Sequence, residues 1–141
     1  MYKIILHITD LAENHFDMCR KAAKFAHEIN AILFVMHVIE SPPSLQIAQG
    51  LGFTEIYNPN VAAQNAKEIL SIIGESLNIP KDRQIIEIGS IKQHVLNKVN
   101  ELCCDLIIIG KHTNNKLPEF LTNSAHYIMD TASCDILTIS P

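Results

Sequence analysis

The residues best placed to hold a ligand lie in one stretch, Asp105 to the end of the chain. Gly110 stops the apolar run Leu106-Ile107-Ile108-Ile109, and a polar loop follows that carries Lys111, His112 and Lys116 and ends near Pro118. Asn123 and Ser124 then lead into a helical repeat. A glycine after a buried strand lets backbone N–H groups point at an oxyanion where no Cβ blocks the approach, which is the chemistry of phosphate binding. The cations would add charge, Ser124 would add a hydroxyl, and the helix behind it has a positive N-terminal dipole end. The plainer reading is a solvated loop whose serine caps or begins that helix. Asp10, at the end of the first apolar run, is the second candidate: it can meet a ligand or cap the following helix as a structural acid.

Other chemistries find little support. The seven histidines (His7, His15, His27, His37, His94, His112 and His126) never pair with another His or Cys at the close helical spacing of metal motifs, so no metal site is expected. His7 and His37 fall on apolar strands, where a hydrogen-bonded core histidine is the common outcome. Cys19, Cys103, Cys104 and Cys134 show no C-x-x-C spacing and read as small buried hydrophobes in a reducing compartment. Neither G-x-x-x-x-G-K-[ST] nor a nucleophile elbow occurs, and Asp10 and Asp105 mark opposite ends of their strands. Gly50-Leu51-Gly52 does not pass from a strand into a helix, so it is no dinucleotide fingerprint. No catalytic residue is assigned, and no enzymatic activity is expected.

The elements that would position these residues follow from periodicity. Unalternated apolar runs at Lys3 to Thr9, Ala31 to Val38, Gln84 to Ile88, Leu106 to Ile109 and Ile136 to Ile139 read as strands, several buried on both faces. Helical stripes separate them: Ala12, Phe16, Cys19, Ala23 and Ala26, widened by Ala22 and Ile29; then Ala62, Ala66, Ile69, Leu70, Ile73 and Leu77, with Asn60 as cap and Pro80 beyond. A third stripe is Ile91, Val95, Val99 and Leu102, capped by Ser90, and a fourth is Leu121, Ala125, Ile128, Met129 and Ala132. Glu40 to Pro59 is irregular, with a short helical turn expected at Leu45 to Ala48. Strand and helix alternate, which predicts an α/β protein with an open five-stranded parallel sheet and helices on both faces. Residues 1–141 read as a single domain. With 48% hydrophobic residues and a formal charge of −4, the chain suits neither non-specific nucleic-acid binding nor a membrane span, and it carries no signal-peptide pattern. A cytoplasmic location is expected.

From Gly110 onward, the chain resembles the C-terminal signature of the universal stress proteins, with the first strand, its Asp10, the long loop after the second strand and the Gly89-Ser90 turn adding to the likeness. The resemblance implies a Rossmann-like sheet in the strand order 3-2-1-4-5, with a ligand crevice between the first and fourth strands. The nucleotide-binding branch of that family carries G-x2-G-x9-G-[ST]. Here Gly110 is the first glycine, Thr113 stands at the second, and Asn123-Ser124 stand at the final pair. β-Branched Thr113 resists positive φ, and Asn123 tolerates it but brings a side chain into the cradle. The nucleotide-site set implied is Asp10, Val38, Gly110, Thr113, Asn123 and Ser124.

Gly110-Lys111-His112, with no second glycine, is similar to the universal stress protein A branch. That likeness implies a cytoplasmic stress-response homodimer that acts through other, unknown protein partners without tight ATP binding. An ATP- or AMP-binding switch in the same crevice is the alternative. In the implied order the last strand is an edge, and Ile136, Leu137, Thr138 and Ile139 would leave it open to pairing. Related proteins resolve this by antiparallel pairing of two such strands across a two-fold axis, which is the dimer expected here.

Overall fold

The structure is a computed structural model that describes residues 1–12, 14–40, 50–52, 58–111 and 125–141; the turn expected at Leu45 to Ala48 lies outside them. Strands β1 (Ile4–Ile8), β2 (Ile32–Ile39), β3 (Gln84–Ile88), β4 (Leu106–Gly110) and β5 (Asp135–Ile139) form one parallel sheet in the order β3-β2-β1-β4-β5, as the resemblance implied. Helices α1 (His15–Glu28), α2 (Pro59–Leu77), α3 (Ile91–Leu102) and α4 (Ala125–Thr131) connect them, with a 3-10 turn at Lys81–Arg83 ahead of β3.

Two apolar cores sandwich the sheet because successive strand residues point to opposite faces. On one side Ile5, Leu33, Val35, Leu106 and Ile108 pack against Cys19, Ala22 and Ala26 of α1 and Leu70 and Ile73 of α2. On the other, Leu6, Ile8, Met36, Val38, Ile107 and Ile109 meet Ile91, Val95 and Val99 of α3 and Ile128 of α4. Strands β1 and β4 are covered on two faces, which is why neither alternates in sequence. Each such fully buried aliphatic side chain contributes about 1.5–3 kcal/mol. Asp105 ties the amino ends of β1 and β4 together: its carboxylate accepts the Lys3 N–H at 2.8 Å and the Ile4 N–H at 3.1 Å.

Helix faces differ from the expected stripes in identifiable places. The inner face of α1 is Met18, Cys19, Ala22 and Ala26, while Phe16 and Ile29 are exposed and Ala12 precedes the helix. Small residues in the middle of α1 let it lie close on the sheet, so the stripe is rotated away from bulky Phe16. In α2, Ala63 is buried beside Ala66, Leu70, Ile73 and Gly74, and Ile69 faces outward. Met129 of α4 is likewise exposed, whereas Ile128 is fully buried. Leu121 lies outside the described residues.

The cap of α2 is Asn58, not Asn60. The Asn58 side chain accepts the Asn60 N–H at 2.9 Å, and Pro59 occupies the first helical position. Proline suits that position because its φ is already helical and its missing N–H would have had no partner. Ser90 caps α3 as expected, accepting the Gln93 N–H at 3.5 Å, and Glu40 supplements it by accepting the Ile91 N–H at 3.1 Å. The expected effect of Asn58→Ala is therefore a loss of about 1 kcal/mol in urea unfolding, against less than about 0.5 kcal/mol for Asn60→Ala. Equal losses would return the cap to Asn60.

Candidate functional site

Strands β1 and β4 lie side by side, yet the chain leaves them in opposite directions, to β2 through α1 and to β5 through α4. Such a switch point opens a crevice at the carboxyl ends of the two strands. The register Ile8↔Ile109 brings Thr9 and Asp10 level with Gly110 and Lys111. Val38 lies near the carboxyl end of β2, one strand over. Three of the six nucleotide-site residues named from the sequence, Asp10, Val38 and Gly110, therefore gather at one end of adjacent strands. Thr113, Asn123 and Ser124 lie outside the described residues, as do His112 and Lys116.

Each of the three has a structural task in view. Asp10 Oδ1 accepts the Ala12 N–H at 3.0 Å, and Thr9 Oγ1 accepts the Leu11 N–H at 3.1 Å. Asp10 thus braces the tight turn after β1 and does not cap α1, whose N-cap residue is Asn14. The Val38 side chain is buried in the core beneath α3. Gly110 is paired with Ile139 of β5. A Cβ on it would lie 2.6 Å from Met18 Cγ and 2.9 Å from Met18 Sδ. The missing side chain is therefore demanded by the approach of α1, and Met18, absent from the expected stripe, is the residue that demands it. Next in the chain, the Lys111 N–H donates to the Ile139 carbonyl at 2.8 Å. The first backbone donor after the glycine is consumed by the sheet.

Two histidines sit beneath the crevice, hydrogen-bonded as expected. His37 Nδ1 bonds the Thr9 carbonyl at 2.8 Å, and His7 Nδ1 bonds the Ile108 carbonyl at 3.0 Å. Since a carbonyl only accepts, each Nδ1 carries the hydrogen. His7 Nε2 is buried without a partner among the described residues. Burial pushes the His7 pKa down to about 4, against the opposing pull of the Ile108 carbonyl and the Asp10 charge, and burial lowers that of His37 against the Thr9 carbonyl and the same Asp10 charge.

The thiols of Cys19 and Cys104 are buried and pushed up to about 12, chiefly by desolvation, which makes them unreactive. Cys103, expected to be buried, is instead exposed, closing α3 in a left-handed conformation at φ 54°. Among the described residues, no group of three His, Cys, Asp or Glu side chains is placed to hold a metal ion, and no helix is long and apolar enough to cross a membrane.

Among the described residues, β5 borders the sheet with β4 as its only strand neighbour. Ile136 packs toward α3 and α4, while Leu137 and Ile139 pack toward α1 and α2. Both ends of β5 are tied down: Tyr2 Oη donates to Asp135 Oδ2 at 2.7 Å, and Lys21 Nζ donates to the Ser140 carbonyl. Thr138 is exposed.

An open parallel sheet, layered by helices and notched at its switch point, defines a doubly wound α/β protein built around a crevice. The model of the universal stress protein family matches residues 1–140, and the chain belongs to that family. It is similar to universal stress protein A homolog 1 of Coxiella burnetii, 32% identical over 141 residues that span 98% of this chain and 96% of that one. Universal stress protein UspA from Lactobacillus plantarum shares the fold with a TM-score of 0.70 at 19% identity, over 98% of this chain and 97% of that one. A universal stress protein solved in complex with cAMP shares it with a TM-score of 0.61 at 15% identity, over 99% and 97% of the two chains.

Two outcomes follow from this geometry. Gly110→Ala is expected to destabilise by about 1–3 kcal/mol through the clash with Met18, and Met18→Ala in the same chain should relieve part of the loss, as a double-mutant cycle in urea would read. Additive losses would show that the two residues do not meet. For His7, the folded pKa of about 4 lies below the ordinary 6.5, so its stabilising share is whole above pH 6.5 and is lost as pH falls toward 4. At about 1.4 kcal/mol per unit, that share is roughly 3 kcal/mol. His7→Leu should therefore lose less stability than the parent between pH 7 and 4.5; identical profiles would count against it.

Proposed function

We propose that this chain acts as a cytoplasmic, homodimeric stress-response protein of the universal stress protein A type, a regulator that works through protein contacts, without catalysis of its own and without a tight hold on ATP. The observation that carries this reading is the way Gly110 and Lys111 are taken up at the end of β4. Met18 fills the space beside the glycine, and the Ile139 carbonyl takes the Lys111 N–H that a phosphate cradle would use. Thr113 and Asn123, where the nucleotide-binding branch has glycine, weaken the cradle further. Dimerisation is supported by β5, whose outer rim along Ile136, Leu137, Thr138 and Ile139 has no strand beside it among the described residues. Antiparallel pairing of two such edges removes the exposed backbone groups from both copies at once.

A nucleotide switch is the second reading, favoured by the convergence of Asp10, Val38 and Gly110 at the switch point. A protein of the same fold has been solved with cAMP. Heat release of bound nucleotide followed by chromatography separates the two. The expected result is an empty protein that also gives no heat on titration with ATP or AMP. Near-stoichiometric ATP or AMP would make the switch the better account.

For the dimer, sedimentation at micromolar concentration should give twice the chain mass. Thr138→Lys, which sets like charges against each other across the two-fold axis, should shift it to the monomer with the far-UV spectrum unchanged. A monomeric parent, or a variant that stays dimeric, would remove β5 as the interface.

A further inference from the structure

At the end of the sheet away from the crevice, a pocket of about 480 Å³ opens between the second half of α1, the end of α2 and the turn before β3. Its floor is apolar, with Leu33, Leu77 and Ile79 among its lining. Its rim carries the cations Arg20 and Lys24 from α1 and Arg83 from the turn, with His27 beside them. The chain has only these two arginines, and both line this pocket from positions far apart in sequence. Among the described residues, no aspartate or glutamate lines the pocket, although the chain as a whole carries a formal charge of −4.

The cations are also poorly neutralised. Arg20 pairs with Asp17 at 3.0 Å, an exposed pair one helical turn back. Pairs of that kind hold weakly and exchange readily for a better partner. Among the described residues, the side chains of Lys24, His27 and Arg83 make no hydrogen bond or ion pair. Cations gathered over an apolar surface raise the local potential and attract a counter-ion. Guanidinium groups fit phosphate and carboxylate oxygens two at a time. Two guanidiniums and an ammonium match a dianion better than a single carboxylate, and the apolar floor suits a hydrophobic body behind the head. The volume lies within the range of about 300–1,000 Å³ typical of small-molecule sites.

We infer that this pocket binds a small phosphomonoester with an apolar body, held by Arg20, Lys24 and Arg83 over Leu33 and Ile79. The site is separate from the switch-point crevice, and its occupation does not depend on whether the crevice takes a nucleotide.

With two arginines, the ¹⁵N spectrum has only two side-chain Nε–H signals to follow. Titration with phenyl phosphate should move both in a saturable way. Inorganic phosphate should bind about tenfold more weakly, because it cannot use the floor, and benzoate more weakly still, because it carries one charge. Arg83→Gln and Lys24→Gln, each checked for folding by circular dichroism, should each weaken phenyl phosphate about tenfold. Arginine signals unmoved at millimolar phenyl phosphate, or an affinity unchanged in the folded variants, would overturn the site. Equal affinity for inorganic phosphate would overturn the apolar subsite, and equal affinity for benzoate would overturn the preference for a phosphomonoester.

Discussion

Helix α1 lies close on β1 and β4 because its middle is made of Cys19, Ala22 and Ala26, and much at the carboxyl end of the sheet depends on that approach. Closeness brings Met18 over the end of β4, where only glycine leaves room. Gly110 can then remain in the strand, paired with Ile139, and the next N–H joins the ladder to β5. A glycine that reads in sequence as a phosphate-loop residue is, in three dimensions, a helix-packing residue. The same dense layer buries His7 and leaves its Nε2 without a partner among the described residues, beneath the crevice that the strand order creates.

How much of this could be read from the residues depends on what each signal encodes. Apolar runs located all five strands, β3 to the residue, because a doubly covered strand needs little but β-branched and aliphatic side chains. The same lack of alternation hides which face a residue takes, and strand order came from the family likeness, since crossover helices of similar length fit several orders. Helix stripes were right in period but off in phase where a bulky and a small residue competed, as with Phe16 against Met18 and Ile69 against Ala63. Close packing decides that competition, and periodicity alone does not record it. Asn60 reads as the cap of α2 in sequence, yet Pro59 suits the first helical position and so leaves the cap to Asn58.

The candidate site was legible as a place more than as a mechanism. Asp10 and Gly110 do meet at the switch point, but the partner that fixes Gly110 comes from α1, nearly a hundred residues earlier, and no local pattern announces it. The cationic pocket escaped for a similar reason. Arg20, Lys24 and Arg83 form no motif in the chain, and the fold alone assembles them. Charge counting gives the sum and hides the distribution, so an acidic chain can still carry a basic pocket.

The clamp made by Asp105 has a consequence for the order in which the protein can assemble. Its bonds to Lys3 and Ile4 span 102 and 101 residues, and β1 pairs with β4 over a similar separation. During synthesis β1 emerges first and finds β2 early, yet its other rim must wait for the fourth strand. The nascent chain therefore presents an apolar, unsatisfied strand to solvent for most of its translation, at rates of about 5–20 residues per second a matter of several seconds. Contacts this distant in sequence are slow to close and expose sticky intermediates while they do. The centre of the sheet, the most protected part of the finished molecule, is the part of the growing chain with most need of a chaperone.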